Sequence, residues 1–436
     1  MEKKQLSRRQ FMKSAAVAGA AVAAPNIVPA SALGRGGATA PSERILLGGI
    51  GIGSRGMHDL RWATDQPDVQ FLAVCDVRQN RRESVKSFID DLYDNNDCET
   101  FRDIRDFLAE RTDLDGVVIA TGDRWHGLAS IYSMRAGLDV FSEKPSSMTI
   151  AEGRAVVDAA RRYGRVYQTC VQRLSEANHV FCIEMARSGR LGEIHTSYAH
   201  IAPWHDAYVS RPWLEEEPEP PVEEVDWDGW LGPCPWRPYN SEYVNGDWYG
   251  YYDFHTSCIG EWGAHTFAQV QAGIDSLDTS PVKYEFVDND TGDGMVCTFA
   301  NGVKMILSRG DEYWSGSCGE RFDGEHGWVA AADGYTRPEA SDEALLDDYS
   351  DVVNAYRART GRPMNHMRNF LDCVKTREDP VANASVMHHT MTTVHAANIC
   401  MWLKRDLTYD PVREEFVGDD EANRLRSRAM RAPWLV

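Results

Sequence analysis

The stretch Ile45-Leu46-Leu47-Gly48-Gly49-Ile50-Gly51-Ile52-Gly53-Ser54-Arg55-Gly56 decides the fold. Six apolar or small residues make a buried strand, and three glycines follow where that strand turns into a helix. Gly51 permits the tight turn, Gly53 lets backbone approach a phosphate, and Gly56 lets helix pack on strand. The first amides of the helix, around Ser54 and Arg55, then face an anion. A glycine pattern alone is weak evidence, but here Asp76 ends the next strand, twenty residues beyond Gly56. From there a carboxylate accepts hydrogen bonds from a ribose 2′-hydroxyl. The reading is a dinucleotide-binding domain. The carboxylate favours NAD, while Arg55, Arg78, Arg81 and Arg82 would neutralise a 2′-phosphate and keep NADP open.

Outward from this loop, apolar strands alternate with amphipathic helices, the pattern of a parallel sheet covered on both faces. Strands are expected at Ile45–Ile50, Val69–Cys75, Val117–Ala120 and Asp139–Ser142. Helices are expected at Met57–Thr64, Arg81–Leu92, Phe101–Glu110, Leu128–Ala136 and Ile150–Tyr163. After Val166 the pattern changes to alternating strands and hairpins, as in Gly294–Ala300, the turn Asn301-Gly302, and Val303–Ser308. Helices at Ala177–Ser188 and Met364–Lys375 would back that sheet. The expected class is α/β: a doubly wound Rossmann domain over 43–165, then an α+β domain over 166–436 with a mostly antiparallel sheet that binds substrate and forms subunit contacts. Glu215–Asp228, rich in Pro and Glu, reads as an exposed loop.

The first 32 residues read as an address. Ser7-Arg8-Arg9-Gln10-Phe11-Met12-Lys13 precedes a small apolar run, Ala15–Ala24, too short to span a bilayer, and Ala30-Ser31-Ala32 offers a cleavage site. This predicts twin-arginine export of a folded protein to the periplasm or beyond, with no membrane segment in the mature form. A formal charge of -20 in 436 residues repels phosphate backbones, so nucleic acid is not an expected partner. The ten cysteines include no C-x-x-C pair, so disulfides are possible but not required.

Several blocks, in order, resemble the Gfo/Idh/MocA oxidoreductases. They are the glycine loop, Ala120-Thr121 with Trp125-His126, Glu143-Lys144-Pro145, Trp227-Asp228 with Trp230-Leu231-Gly232-Pro233, Trp262-Gly263-Ala264-His265, and Arg431-Ala432-Pro433-Trp434. The likeness to the exported branch of that family spans essentially the whole chain after the leader. It implies hydride transfer to or from a sugar, glycoside or polyol, with cofactor contacts from Gly51, Gly53, Ser54, Arg55, Gly56, Asp76, Arg78, Thr121, Trp125, His126, Glu143, Lys144 and Gln172. It also implies a homo-oligomer. Lys144 would stand near the nicotinamide ribose and the substrate hydroxyl, and His265 would move the proton; a solvated lysine and a core histidine are the plain alternatives. Alcohol oxidation needs a base for the hydroxyl proton, and imidazole titrates nearest neutrality. Glu261 stands one helical turn before His265 and would orient it, although the family usually has Asp there.

No metal is expected: His255, His265, Asp253 and Glu261 are close in sequence, but their spacing fixes no tetrahedral site. Between Trp204 and Trp262 the chain concentrates Trp and Tyr, suited equally to sugar faces and to ordinary packing or a subunit contact. Because free cofactor would diffuse away outside the cytoplasm, a bound, self-regenerating dinucleotide is expected. The leading reading is a sugar or polyol oxidoreductase. The alternatives are a glycoside hydrolase working by transient oxidation and a non-catalytic carbohydrate-binding protein.

Overall fold

The computed structural model describes residues 39–201, 211–287, 295–308, 318–334 and 337–436. The leader, part of the aromatic stretch after Trp204, and Gly294 lie outside them. Pro41–Glu43 forms a single 3-10 turn.

From Ile45 the strands are β1 (Ile45–Ile50), β2 (Val69–Cys75), β3 (Glu99–Phe101), β4 (Gly116–Ile119), β5 (Asp139–Ser142) and β6 (Tyr167–Thr169). They pair in the order β3-β2-β1-β4-β5-β6, all parallel. The intervening helices are α1 (Ser54–Thr64), α2 (Gln79–Tyr93), α3 (Ile104–Glu110), α4 (Asp123–Arg135) and α5 (Ile150–Tyr163). Central strands are covered on both faces, so Val117, Val118 and Ile119 are all fully buried and read as an unbroken apolar run. The chain reverses direction across the sheet between β1 and β4, which opens a crevice at the strands' carboxyl ends.

Two local expectations differ. The helix expected over Phe101–Glu110 is split: residues 99–101 pair with Ala73–Cys75, and Asp103 starts the helix only at Ile104 by accepting the Arg105 N–H. The parallel sheet also continues past the change of pattern at Val166, because Tyr167–Thr169 pairs with Val140–Ser142.

The second half contains α6 (Ala177–Arg187), β7 (Ile194–His200), α7 (Trp227–Leu231), α8 (Ser241–Asn245), α9 (Ser257–Gly273), β8 (Lys283–Phe286), β9 (Met295–Thr298), β10 (Lys304–Ser308), β11 (Glu320–Gly324), β12 (Gly327–Ala331) and β13 (Glu339–Ala340). It closes with α10 (Tyr349–Thr360), α11 (His366–Thr376), α12 (Ala384–Leu403), β14 (Leu407–Asp410), β15 (Glu415–Phe416) and α13 (Asp420–Arg424). Nine strands form one sheet, antiparallel except where β7 pairs parallel with β10. The Asn301-Gly302 hairpin forms as expected, with Gly302 at φ +88°. Helices α6, α9 and α12 bury one face of the sheet, and α12 also packs on α5 of the first domain. That double contact explains why α12 is buried on nearly every side, its His388, His395 and Asn398 included.

Between β7 and α9 runs a strap, described from Arg211 to Thr256, that carries α7 and α8. Its own small core is aromatic: Trp227, Trp230, Tyr239, Tyr243, Tyr251 and Phe254 are all buried together. Most of 215–224 is an exposed loop, as expected, but residues 224–226 add to the first domain as a short antiparallel bridge, with Gln79 N–H donating to Glu224 O (2.9 Å) and Asp226 N–H to Val77 O (3.0 Å).

Candidate active site

The glycine loop, the carboxyl ends of β1, β2 and β4, and the strap enclose a cavity of about 320 Å³. Gly51 sits at φ +70°, and a Cβ there would stand 2.3 Å from Thr121 Cγ2, so both backbone and space demand glycine. Gly53 is different: no atom lies within 4 Å of where its Cβ would be, and it faces the cavity. Helix α1 begins at Ser54 with no side chain capping it, which leaves its first amides for a ligand. Asp76 uses Oδ1 to accept the Arg78 N–H (2.9 Å). A bare glycine face, uncapped helix amides and a carboxylate at the end of β2 fit a dinucleotide.

Of the residues expected to bind cofactor, Gly51, Gly53, Ser54, Arg55, Asp76, Arg78, Thr121 and Trp125 line this cavity. The others stand behind it. Gly56 faces Ala120. His126 lies buried between the carbonyls of Pro145 (2.9 Å) and Thr121 (3.0 Å), tying the turn after β5 to the loop after β4. Gln172 Oε1 lies 3.8 Å from Cys170 Sγ. Glu143 bonds to Arg55 (2.5 Å). Arg55 also meets Asp59 (3.1 Å) and Cys170 Sγ (3.3 Å), so it braces the glycine loop against β5 and β6. Burial, with Glu143 beside it, pushes the Asp59 carboxyl well up.

Lys144, Glu261, His255 and His265 do not line the cavity; they form a side-chain cluster from both domains beside it, reached through the Trp248 and Tyr249 rings that meet His255. Asp123, at the start of α4, accepts from Thr256 N–H (3.0 Å) and Thr256 Oγ (2.8 Å), placing a carboxylate at the N-terminus of α9. Ser257, the next residue, holds φ +73°, a left-handed conformation costly for a side-chain-bearing residue, and its hydroxyl is fixed by Asn398 (2.9 Å). This entry aims the first turn of α9 at β5. Glu261 accepts from Lys144 Nζ at 2.6 Å, and its other oxygen lies 3.6 Å from His255 Nε2.

Glu261 therefore serves Lys144 and His255 rather than His265, correcting the expectation that it orients His265. Lys144 reaches it from the end of β5, 117 residues away in sequence. Burial opposes both charges, yet each stabilises the other: Lys144 is held above its ordinary range by Glu261 and Glu143, and Glu261 is drawn down to about 2 by Lys144 and His255. His265 is buried, with Nδ1 lacking a hydrogen-bond partner. Burial first, then the charges of Arg173, Lys144 and Arg55, push its pKa well below the usual value, which keeps the ring neutral.

Among the described residues, two sets of donor atoms lie close enough to share a cation, Asp123–His255–Glu261 and Asp59–Glu143–Cys170. Each already holds a protein cation, Lys144 in the first and Arg55 in the second. Asp253 pairs instead with Arg237 (2.6 Å).

The aromatic stretch divides in two. Trp227, Trp230, Tyr239, Tyr243 and Tyr251 chiefly pack the strap, with buried Arg124 stacked 3.5 Å from the Trp230 ring. Trp248 and Tyr249 stack at 4.2 Å and line the cavity, and both rings meet His255 edge-on. Val244 and Asn245 also line it, and no pattern in the sequence singles them out.

Comparison with known proteins matches residues 45–170 to the NAD-binding Rossmann fold of an oxidoreductase family and residues 191–436 to that family's C-terminal alpha/beta domain. Residues 5–25 match the twin-arginine translocation pathway signal sequence, so the chain carries an export signal. A Glycosyl hydrolase family 109 protein from Shewanella baltica is 28% identical over 231 residues, covering 46% of this chain and 47% of that protein. The chain thus spans about half the length of the curated relatives it matches. Among solved structures, myo-inositol 2-dehydrogenase from Lactobacillus plantarum aligns with a TM-score of 0.57 at 14% identity, over 84% of this chain and 100% of that one. The WlbA dehydrogenase from Bordetella pertussis, in complex with NADH and UDP-GlcNAcA, aligns with a TM-score of 0.57 at 14% identity, over 82% and 96%. Both sides of the cleft come from domains of one family matched in order, and the chain belongs to the Gfo/Idh/MocA oxidoreductase family.

Proposed function

We propose that the protein is an exported NAD-dependent oxidoreductase acting on a hydroxyl-bearing carbon of a sugar, glycoside or polyol. The observation that carries this reading is the Lys144–Glu261 pair, which joins the two domains where the dinucleotide cleft meets the second one. The dinucleotide, when bound, supplies a hydride acceptor. Lys144 orients the substrate hydroxyl and offsets the negative charge that grows on its oxygen. Glu261 keeps Lys144 protonated and aimed. The neutral ring of His265 takes the hydroxyl proton at a ring nitrogen, a role open to it because Nδ1 has no protein partner. Trp248 and Tyr249 offer a stacked apolar wall for a pyranose face. Asp76 favours a free ribose 2′-hydroxyl and so NAD over NADP.

The test is to purify the exported protein, denature it, and identify the released nucleotide by mass. Stoichiometric NAD supports the reading, and a protein that neither holds nor binds a dinucleotide refutes it.

A second reading, cleavage of a glycosidic bond by transient oxidation, is favoured by the family 109 glycosyl hydrolases among the relatives. Release of nitrophenol from nitrophenyl glycosides, with no net change in the nicotinamide absorbance, selects it over net oxidation. We also propose a homo-oligomer through the face of the nine-stranded sheet that bears half-exposed Tyr198 and Trp328. A monomeric mass in solution refutes this.

A further inference from the structure

We infer that the strap, residues 211–256, is the gate of the dinucleotide cleft, latched by Arg78 and Arg82, and that its opening sets the rate at which nucleotide enters and leaves. The inference rests on reading the cleft as a dinucleotide site.

The cavity has two walls. One is the glycine loop with the ends of β1, β2 and β4; the other is the strap, through Asp226, Gly229, Trp230, Val244, Asn245 and Trp248. A ligand held by the first wall is therefore overlaid by the second. The strap closes this slot through five hydrogen bonds at residues 223–226 and 244–245: Gln79 N–H to Glu224 O, Asp226 N–H to Val77 O, Arg78 Nη1 to Val244 O (2.7 Å), Arg78 Nη2 to Asn245 Oδ1 (3.3 Å), and Arg82 Nη2 to Glu223 O (3.0 Å); Trp125 Nε1 to Gly229 O (2.9 Å) and Arg124 Nε to Trp230 O (2.8 Å) hold the stretch between them. Arg82 also holds the Asp76 carbonyl through Nη1 (2.6 Å), so one guanidinium ties the strap directly to the end of β2. Arg82 is thus spent on carbonyls, while Arg78, which also lines the cavity, keeps Nε without a partner among the described residues. The middle of the strap is pinned as well: Arg431 bonds to the carbonyls of Asp228, Gly232 and Cys234. With residues 229–234 held by Trp125, Arg124 and the C-terminal tail, and residues 223–226 and 244–245 held mainly by Arg78 and Arg82, the strap opens at the latter.

Arg78 and Val225 face each other in the antiparallel bridge, at the position flanked by hydrogen bonds rather than joined by them. Cα atoms at such a position lie about 4.5 Å apart, within reach of a disulfide. The full-length exported protein carrying Arg78→Cys with Val225→Cys, loaded with NAD, is chased with isotopically labelled NAD. Label uptake is followed by mass after denaturation. The oxidised protein exchanges on the order of 100-fold more slowly than the same protein reduced, as expected when a lid gates access. Arg82→Met, which loosens the latch without a lock, exchanges roughly 10-fold faster than wild type. Equal rates in the two redox states, or an unaltered rate in Arg82→Met, overturn the gate. A protein into which no NAD can be loaded overturns the dinucleotide reading itself.

Discussion

At the nucleotide end of the cleft the contacts come from backbone: a glycine with no Cβ, uncapped helix amides, and strap carbonyls that hold two arginines. At the chemical end they come from side chains: Lys144 just after β5 on one domain, His255 at the end of the strap, and Glu261 and His265 on α9 of the other. The two ends meet in the dipeptide Glu143-Lys144. Glu143 turns back into the first domain toward Arg55, and Lys144 crosses to Glu261. Backbone recognition tolerates side-chain change everywhere except where a Cβ would intrude, whereas a side-chain site fails with any one member. That asymmetry can be broken by experiment.

The largest effect is expected at the chemical end. Lys144→Met lowers turnover by about 10³-fold while the dinucleotide stays bound, because the developing oxygen charge and the Glu261 carboxylate both lose their cation. Turnover and bound nucleotide are measured on the same sample, and wild-type turnover would remove Lys144 from the chemistry.

Next come the glycines, which should separate. Gly53→Ala leaves the melting temperature unchanged but weakens dinucleotide binding by about 10-fold to 100-fold, since its methyl enters the cavity and touches no protein atom. Gly51→Ala costs about 1–3 kcal/mol of stability, from its positive φ and the clash with Thr121. Calorimetry and nucleotide titration on both variants check this, and identical behaviour of the two would break the comparison.

The pH dependence is the smallest effect. His265 is held neutral, and burial lowers His366 to about 4 and His395 to about 3. In the unfolded chain each takes a proton as pH falls through its ordinary range near 6.5. Their contribution to stability is therefore present above that pH and lost below it, by about 1 kcal/mol per histidine at pH 6. Melting curves between pH 8 and 5 check the direction, and the acid limb of turnover should lie below 6.5 if His265 is the base.

The nucleotide end was legible because its signal is local. Strand, glycines and Asp76 lie within one short span, and buried central strands read as apolar runs. The edge strand at Glu99–Phe101 was not, because three residues carry no period and its neighbour Asp103 starts a helix. The partner of Glu261 was hidden for another reason: spacing within one helix pairs it with His265, but Lys144 arrives from a distant strand with a stronger charge. The strap latch had no signature at all, since Glu223 and Val244 act through carbonyls that every residue possesses.

All ten cysteines are buried thiols, with no disulfide between any two of them. Nothing in the fold therefore waits for oxidation. The chain can reach its final structure while reductants surround it, with every thiol already sealed from solvent. Reductant in the buffer should leave its melting temperature where it was.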